Sequence, residues 1–534
     1  MATTVQTTAR SLFDVRVRVS HTVNLLLLAL SIGPVLAVDI PAMLDYPNHL
    51  AVMSVLSRNG TAAANPFYQV SWAFNTNMAM ELIVPQLARW IGLAAAGKMF
   101  LLLSQLLVIG GATAIERVVR GRLELSPLAM ALFLYSLPFA WGFINFEFGL
   151  GVALCAIAAW LATEDRPLLA RAAVHSIFVA ILFVAHLLAL GIYGVTLGIH
   201  ELWRVRSGQA TIKQMLFTMG ALATPVVVIF GATLLLGHSV AGAASETEWL
   251  FNLKPRFFFE AMNGYSILLS SAGMGVISFG IFVLGRGGYL KLASSGLWIA
   301  IGFAILFVAM PNRLMDTALN DVRIVTAAAL ILPGFVQLSL PKPTWRHLVF
   351  WGASACALIN LALVWWVWLS YRSEYAAMIA SFGKIAKDST VLVAVSYPPG
   401  KPAGNLVDYP LYHSPTLAVA YDNALVPSLF TSPGDRPVRL RSAYERFTQQ
   451  GFLSPDFDAL PEIAFGANKD APEYLQYWGS RYDYLYVLGP QTPNLMPHLL
   501  HQVSSGPRFM LYHIDRSANA GQGPAVSNAP DQSP

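Results

Sequence analysis

Charged residues are scarce in this sequence. Only 12% of its 534 residues are Asp, Glu, Lys or Arg, whereas 55% are hydrophobic. A soluble domain usually carries about 25% charged residues, so this chain has too little polar surface to enclose its apolar residues in water. The composition therefore excludes an ordinary water-soluble protein and predicts a polytopic membrane protein.

Cysteines and known sequence motifs are also few. The two cysteines, Cys155 and Cys356, both lie inside apolar runs, and we expect neither a structural disulfide nor a metal–thiolate site. The segment "GRGG" at 285–288 lacks the Lys-Ser/Thr pair of a phosphate-binding P-loop. The sequence contains no zinc signature, no serine-nucleophile elbow, no nucleic-acid-binding pattern and no internal repeat, so it favours none of the corresponding functions.

Long apolar runs dominate the first 370 residues. A membrane-spanning helix needs about 20 mostly apolar residues. We predict spanning helices at about 22–38, 97–115, 127–143, 147–162, 172–186, 187–202, 213–236, 264–284, 293–310, 323–340 and 347–370. The region 172–202 is short for two spans, and a single tilted helix is the alternative.

The positions of the basic residues decide between these alternatives. Cytoplasmic loops of membrane proteins collect Lys and Arg, and the basic loops fall on one side only if 172–202 crosses twice. We therefore predict about eleven transmembrane helices, a cytoplasmic N-terminus and an extracytoplasmic C-terminus. The first apolar run could instead be a signal peptide, because "VLA" ending at Ala37 fits a small-residue cleavage site.

The predicted α-helical membrane protein has four regions. Residues 1–21 form a cytoplasmic segment, and 22–370 form a transmembrane domain with a long first outer loop at 39–96. In that loop, 47–58 is predicted to be an amphipathic helix capped by Asp45 or Tyr46, and 80–94 an interfacial helix. A small extracytoplasmic α/β domain occupies 371–515, with strands predicted at 389–397, 416–426, 482–489 and 509–515. Residues 516–534 form a tail predicted to be disordered.

Acidic and histidine residues stand at the predicted outer ends of the spans. Asp45 and His49 are four residues apart and would share one face of a helix. A carboxylate beside an imidazole suits proton abstraction from a hydroxyl or binding of a divalent cation; the alternative is a capping Asp and a solvated His. Glu147, in "NFEFG", is costly near hydrocarbon without a partner, although a helix N-terminus also favours an acid.

Basic and polar residues are predicted on the same side. Arg313 and Arg323 flank the last outer loop before the α/β domain, and arginine is the residue type suited to binding phosphate; they could instead anchor to lipid headgroups. His186 could instead be a helix-packing histidine. Further polar residues on this side are Tyr46, Asn145, Lys254, Arg256, Asp316 and Asp321. The pattern predicts a polar cavity that faces outward.

With these features the sequence resembles the GT-C glycosyltransferases, membrane enzymes that use polyprenyl-phosphate-linked sugars. The resemblance lies in the number of spans, in the outward C-terminal domain and in an acid just after the first span, here Asp45 in "DYPNHL". It implies that Asp45 is the catalytic base, that His49 orients it or shares a metal with it, and that Glu147 is a further acid of the site. It also implies that Arg313 or Arg323 contacts the lipid phosphate. The residues expected to bind substrate are Tyr46, Asn145, His186, Lys254, Arg256, Arg313 and Arg323.

The implied function is transfer of a sugar from a polyprenyl-phosphate donor to a glycan, lipid or protein acceptor at the outer side of a bacterial inner membrane. A divalent cation held by Asp45 and His49 is the one cofactor that the resemblance leaves open, and nucleic acid is not expected as a partner. A transporter or flippase is an alternative, although such proteins show matching halves with broken spans. A non-catalytic envelope-assembly protein is the other, and it would tolerate amides at Asp45 and Glu147.

Overall fold

The structure, a computed structural model, describes residues 22–73, 75–235, 247–314, 317–397, 409–431, 436–449, 453–466, 468 and 470–516. It divides into two compact units. The helical unit is Met1–Ala42 with Ala73–Ser370, and the α/β unit is Met43–Trp72 with Tyr371–Pro534. The predicted cytoplasmic segment 1–21, Asp316 and residues 517–534 of the predicted tail lie outside the described residues.

The helices are numbered along the chain. They are α1 (Thr22–Ala37), α2 (Tyr46–Arg58), α3 (Ala79–Ile91), α4 (Leu93–Arg120), α5 (Ser126–Phe133), α6 (Leu137–Trp141), α7 (Ile144–Ala162), α8 (Leu168–Ala185), α9 (Leu187–Arg206), α10 (Ile212–Leu235), α11 (Lys254–Glu260), α12 (Ile267–Arg286), α13 (Gly296–Ala309), α14 (Asn320–Ile331), α15 (Pro343–Ser370), α16 (Arg372–Phe382), α17 (Ala418–Asp422) and α18 (Trp478–Arg481). Short 3₁₀ helices cover Phe251–Leu253, Leu332–Phe335, Tyr409–Leu411, Ser414–Leu417, Ser442–Phe447 and Phe457–Glu462.

Six helical segments among the described residues are long and apolar enough to cross a membrane. They are α4, α7, α8, α10, α12 and the run Pro343–Phe382. Thr22–Ala37, Ser126–Trp141 and Gly296–Ala309 are apolar but shorter. The structure thus confirms a helical protein suited to the membrane, and the count of about eleven spans stays a prediction.

Several predicted spans contain breaks. Residues 172–202 form two helices, α8 and α9, which meet at an extended His186 with φ −168° and ψ 125°. The predicted span 127–143 is divided into α5 and α6, because α6 restarts with Pro138 in its first turn, where the missing N–H of proline costs nothing. The predicted span 323–340 is helical only to Phe335 and continues as a short strand.

The helices α4 and α7 cross closely at two glycines. A Cβ added to Gly111 would lie 2.5 Å from Leu154 Cβ, and one added to Gly151 would lie 2.6 Å from Leu107 Cβ. Most of α7 is buried as a result, from Ile144 onward. This crossing holds the first turn of α7, which carries Glu147, inside the helical unit.

The strands are β1 (Tyr68–Val70), β2 (Leu290–Leu292), β3 (Val336–Leu338), β4 (Val391–Val395), β5 (Val438–Leu440), β6 (Tyr484–Leu488), β7 (Leu500–Gly506) and β8 (Phe509–Ile514). In the α/β unit, four of them form a sheet in the order β4-β6-β8-β7, in which only the β4–β6 pair is parallel. The predicted strands at 389–397, 482–489 and 509–515 are present as β4, β6 and β8. The strand predicted at 416–426 is wrong: Ser414–Asp422 is helical, since a short apolar run does not distinguish a strand from a buried helix.

Residues 43–72 pack with the C-terminal residues rather than as a separate loop of the transmembrane region. Strand β1 pairs with β5, matching Tyr68 with Leu440. The helix predicted at 47–58 is present as α2, but every residue from Tyr46 to Leu56 is buried, so it is a core helix and not an amphipathic surface helix. Asn48 fixes it further, donating to the Ser428 carbonyl at 2.8 Å and accepting from the Phe430 N–H at 3.0 Å.

Candidate functional site

The helical unit contains a buried arginine on aromatic rings. Arg323 of α14 is 2% exposed, and its guanidinium carbon lies 3.9 Å from the ring centre of Phe143 and 5.1 Å from that of Phe146. Its Nη1 is 3.1 Å from Nε2 of His186. We call these four residues the arginine cluster. Stacking on aromatic faces stabilises the cation and fixes the plane of its donors.

His186 reaches this cluster because of the break between α8 and α9. Its Nδ1 accepts from the Leu188 N–H at 3.2 Å and caps α9. A guanidinium only donates, so the 3.1 Å contact requires His186 Nε2 to accept, whereas the Leu188 contact requires Nδ1 to accept; a neutral ring satisfies one of the two at a time. The Arg323 guanidinium carries five N–H donors, and an anion oxygen is the kind of acceptor that they bind. Two sequence-predicted residues, His186 and Arg323, are thus brought together.

Glu147 lies in the first turn of α7 and is 2% exposed. No hydrogen bond reaches its carboxylate from the described part of the chain, although its N–H donates to the Phe143 carbonyl at 3.0 Å. Phe143 is the N-cap residue of α7, and Glu147 lies one turn after it. The side chain of neighbouring Asn145, in contrast, has hydrogen-bond partners: its amide nitrogen donates to the Asn77 carbonyl at 2.7 Å and to Glu81 Oε2 at 2.9 Å.

Lys254 belongs to a separate group of buried hydrogen bonds. Its Nζ donates to the carbonyls of Phe307 and Met310, both at 2.8 Å, and to Asp321 Oδ2 at 3.1 Å. Asn312 donates to the other oxygen of Asp321 at 2.9 Å. These contacts use all three donor hydrogens of the ammonium group, so Lys254 ties the end of α13 to the start of α14 and has no hydrogen left for a phosphate.

Arg256 and Arg313 are placed outside these two groups of contacts. Arg256 has an exposed side chain and pairs with Glu260 four residues on, at 2.7 Å. It lines an open groove of about 450 Å³ together with Pro255, Phe259, Glu260, Ile267 and Ser271. The backbone of Arg313 pairs with that of Glu248, with N···O distances of 2.9 and 3.2 Å.

The α/β unit contains the acid–histidine cluster, made of Asp45, His49, His413 and Phe430. Asp45 stands at the N-cap of α2, and its side chain makes no capping hydrogen bond. Its Oδ1 is instead 3.4 Å from His413 Nε2. The rings of His413 and His49 both pack edge-on against Phe430, with centroids 5.4 and 5.6 Å away.

Sequence reasoning missed His413. It lies in "LYHSP", far along the chain from Asp45, in a segment with no motif. It is 3% exposed, and burial lowers the pKa of its imidazole to about 3, so the ring is neutral at pH 7. Tyr46, beside Asp45, is fully buried, and its hydroxyl has no hydrogen-bond partner in the described ranges; burial raises the pKa of this phenol.

The described residues contain no group of three His, Cys, Asp or Glu side chains placed to hold a metal ion. Asp45 and His49, the predicted metal ligands, therefore lack a third ligand of these types among them. Catalytic metal sites in proteins usually use about three protein ligands.

Over nearly its whole length the chain shares its fold with a solved structure of ArnT. The likeness is to ArnT from Cupriavidus metallidurans, in a crystal structure bound to undecaprenyl phosphate: the TM-score is 0.51, the identity is 11%, and the match covers 96% of this chain and 99% of that one. A crystal structure of ArnT from the same organism in the apo state matches with a TM-score of 0.48, 12% identity and coverage of 97% and 100%.

At the sequence level, no protein-family model matches the chain, and no curated protein matches it. The structural likeness therefore confirms the fold that the sequence resemblance predicted, while the roles of individual residues stay predictions.

Proposed function

We propose that this protein is a membrane glycosyltransferase that transfers a sugar from a polyprenyl-phosphate donor to a hydroxyl of a glycan, lipid or protein. The observation that carries the proposal is the likeness over almost the full chain to ArnT, which was solved with undecaprenyl phosphate bound. The proposed orientation has the N-terminus in the cytoplasm and the α/β unit on the outer side of a bacterial inner membrane, as the basic loops predict.

The arginine cluster is the proposed binding site for the donor phosphate. When the sugar leaves, negative charge develops on the phosphate oxygens, and a fixed cation beside them lowers the barrier. Arg323, stacked on Phe143 and Phe146 and 3.1 Å from His186 Nε2, is already oriented for this role. The proposal thus favours Arg323 over Arg313 for phosphate contact.

Asp45 is the proposed base. Its carboxylate takes the proton of the acceptor hydroxyl as the acceptor oxygen bonds to the anomeric carbon. The bond from that carbon to the phosphate oxygen breaks in the same displacement, which inverts the configuration and releases polyprenyl phosphate. The placement of Asp45 supports this role, because its side chain does not cap α2.

Glu147 is the proposed acceptor of hydrogen bonds from the donor sugar. A buried carboxylate without donors costs free energy in the unliganded protein, and sugar hydroxyls supply the missing donors. Its position in the first turn of α7, which follows Phe143 as N-cap residue, supports a role at this end of the helix.

The test compares Asp45→Asn with wild type for the envelope glycan and glycolipid profile and for turnover of polyprenyl-phosphate sugars. We expect turnover to fall by about 10²- to 10⁴-fold, the usual contribution of a general base. Asp39→Asn is the matched control, since Asp39 is exposed and lies six residues earlier. An unchanged profile for Asp45→Asn at normal protein levels would count against catalysis and for an assembly role.

A further inference from the structure

The contact between Asp45 and His413 is not needed to hold α2 in place. Asn48, on the same helix, already bonds to the backbone at Ser428 and Phe430. The side chain of Asp45 does not cap its helix. Nothing in the packing of α2 therefore requires a histidine 3.4 Å from the Asp45 carboxylate.

The imidazole of His413 is held firmly on its own account. Its ring packs edge-on against Tyr412 and Phe430, at centroid distances of 5.1 and 5.4 Å. Its carbonyl accepts from the N–H and the hydroxyl of Thr416, at 3.1 and 2.7 Å. The ring is therefore held in a fixed position beside the Asp45 carboxylate.

The ring nitrogen that faces Asp45 defines what His413 offers to it. In the tautomer with its proton on Nε2, the ring presents an N–H donor to Oδ1 of Asp45. The distance of 3.4 Å is longer than the usual 2.7–3.2 Å of an N–H···O bond. Hydrogen bonds of catalytic groups are often long in the unliganded protein and shorten when substrate binds.

We propose that His413 is a positioning residue for Asp45: its Nε2–H, next to Oδ1, orients the carboxylate toward the acceptor hydroxyl. This inference rests on the proposed function, in which Asp45 is the base. It separates the roles of the two histidines on Phe430, because His413 faces the Asp45 carboxylate whereas His49 follows on the same helix.

The test uses three variants of the full chain in lipid nanodiscs. His413→Gln keeps an N–H donor, and His413→Phe removes it while keeping a ring against Phe430 and Tyr412. His501→Gln is the matched control, because His501 belongs to β7 of the same unit and has an exposed side chain. The probes are a panel of polyprenyl-phosphate pentoses and hexoses for turnover, and undecaprenyl phosphate for binding.

We expect His413→Phe to lower kcat by about 10- to 100-fold, the cost of misplacing a reacting group. The KM for the donor and the Kd for undecaprenyl phosphate should stay within about twofold of wild type. His413→Gln should recover most of kcat, and in an Asp45→Asn background His413→Phe should cost less than about twofold more. If His413→Phe does not fold, His413→Met takes its place.

Three results would each overturn this inference and leave the proposed function standing. They are equal losses of kcat in His413→Phe and His413→Gln, a change in KM alone, and a loss of kcat in His413→Phe that persists in full in the Asp45→Asn background. A wild-type chain that neither turns over the panel nor binds undecaprenyl phosphate would overturn the proposed function, and the inference with it.

Discussion

Glu116 and Glu147 are two buried carboxylates of the helical unit with opposite surroundings. Glu116, 1% exposed, accepts hydrogen bonds at 2.9 Å from the N–H groups of Glu124, Leu125 and Ser126 and so caps the start of α5. Glu147, 2% exposed, accepts none from the residues that the structure describes. The first carboxylate completes a helix end, whereas the second has no such hydrogen-bond donor among the described residues.

This contrast separates a structural acid from a candidate functional acid. Buried polar groups in native proteins are nearly always hydrogen-bonded, and each exception needs an explanation. A satisfied carboxylate stabilises the fold, and an unsatisfied one costs stability and is retained for another reason. Substitutions at the two positions should therefore change different properties.

The largest effect is expected for Glu147→Gln. Turnover should fall by about 100-fold or more, because an amide replaces the acceptor proposed for the sugar hydroxyls. The thermal midpoint should not fall, since an amide costs less to bury than a carboxylate. Turnover of polyprenyl-phosphate sugars and thermal unfolding in detergent measure the two effects.

Loss of stability in Glu147→Gln together with normal turnover per folded molecule would reverse the comparison. Glu147 would then be a structural acid like Glu116, and the second acidic position of the proposed site would have to be sought elsewhere.

The next largest effect is expected for Glu116→Ala. It leaves three N–H groups at the start of α5 without their acceptor, and a buried unsatisfied donor costs about 1–3 kcal/mol. We expect the free energy of unfolding in mixed micelles to fall by about 3 kcal/mol, with turnover per folded molecule within about twofold of wild type. A drop in turnover without a drop in stability would contradict the capping role.

Two buried cations of the helical unit can be compared in a similar way. Lys254 donates its three ammonium hydrogens to Phe307, Met310 and Asp321, whereas the Arg323 guanidinium is stacked on the rings of Phe143 and Phe146. Arg323→Lys keeps the charge but loses the planar donor fork, so we expect the Kd for undecaprenyl phosphate to rise about tenfold, or 1.4 kcal/mol. Arg313→Lys is the comparison, and a larger loss there would transfer the phosphate role to Arg313.

Much of the architecture could be predicted from the sequence because it depends on local composition. Long apolar runs require burial in lipid or protein, and most of these runs are helical, although some are shorter than predicted or broken. The breaks were harder to predict. The junction at His186 and the restart at Pro138 come from single residues inside apolar runs, and the helical conformation of Ser414–Asp422 is decided by packing against α2.

The site was predictable only in part, and for a physical reason. Asp45, Glu147 and Arg323 are conspicuous because a charge among apolar residues is costly. The sequence does not show which polar groups have distant partners: Lys254 and Asp321 form an ion pair, and the Asn145 amide donates to Glu81 and Asn77. Nothing in the sequence around His413 indicates a site residue, because Asp45, the residue that it contacts, lies far away along the chain.

The smallest effect is expected for Asp422, which extends the comparison of buried carboxylates to the α/β unit. Its Oδ2 has no hydrogen-bond partner in the part of the chain that the structure describes, and burial raises the pKa of its carboxyl to about 6, against a smaller opposing effect of Lys387. Because the pKa of this carboxyl is higher in the folded protein than in the unfolded chain, the folded protein holds the proton more tightly, and stability is lost as pH rises from about 4 to 6. Asp422→Asn removes this loss.

We expect Asp422→Asn to raise the free energy of unfolding at pH 7 by about 1 kcal/mol, a value reduced for partial solvent screening, and to flatten the decline of the thermal midpoint between pH 4 and 6. The matched control is Asp483→Asn, because Asp483 accepts from the N–H and hydroxyl of Thr390 at 2.8 and 2.9 Å and pairs with Arg516 at 2.8 Å. Asp483→Asn should lower the midpoint at pH 7. If both variants lower it, an unsatisfied carboxylate in this protein is not a cost, and the inference from the bare carboxylate of Glu147 loses its physical basis.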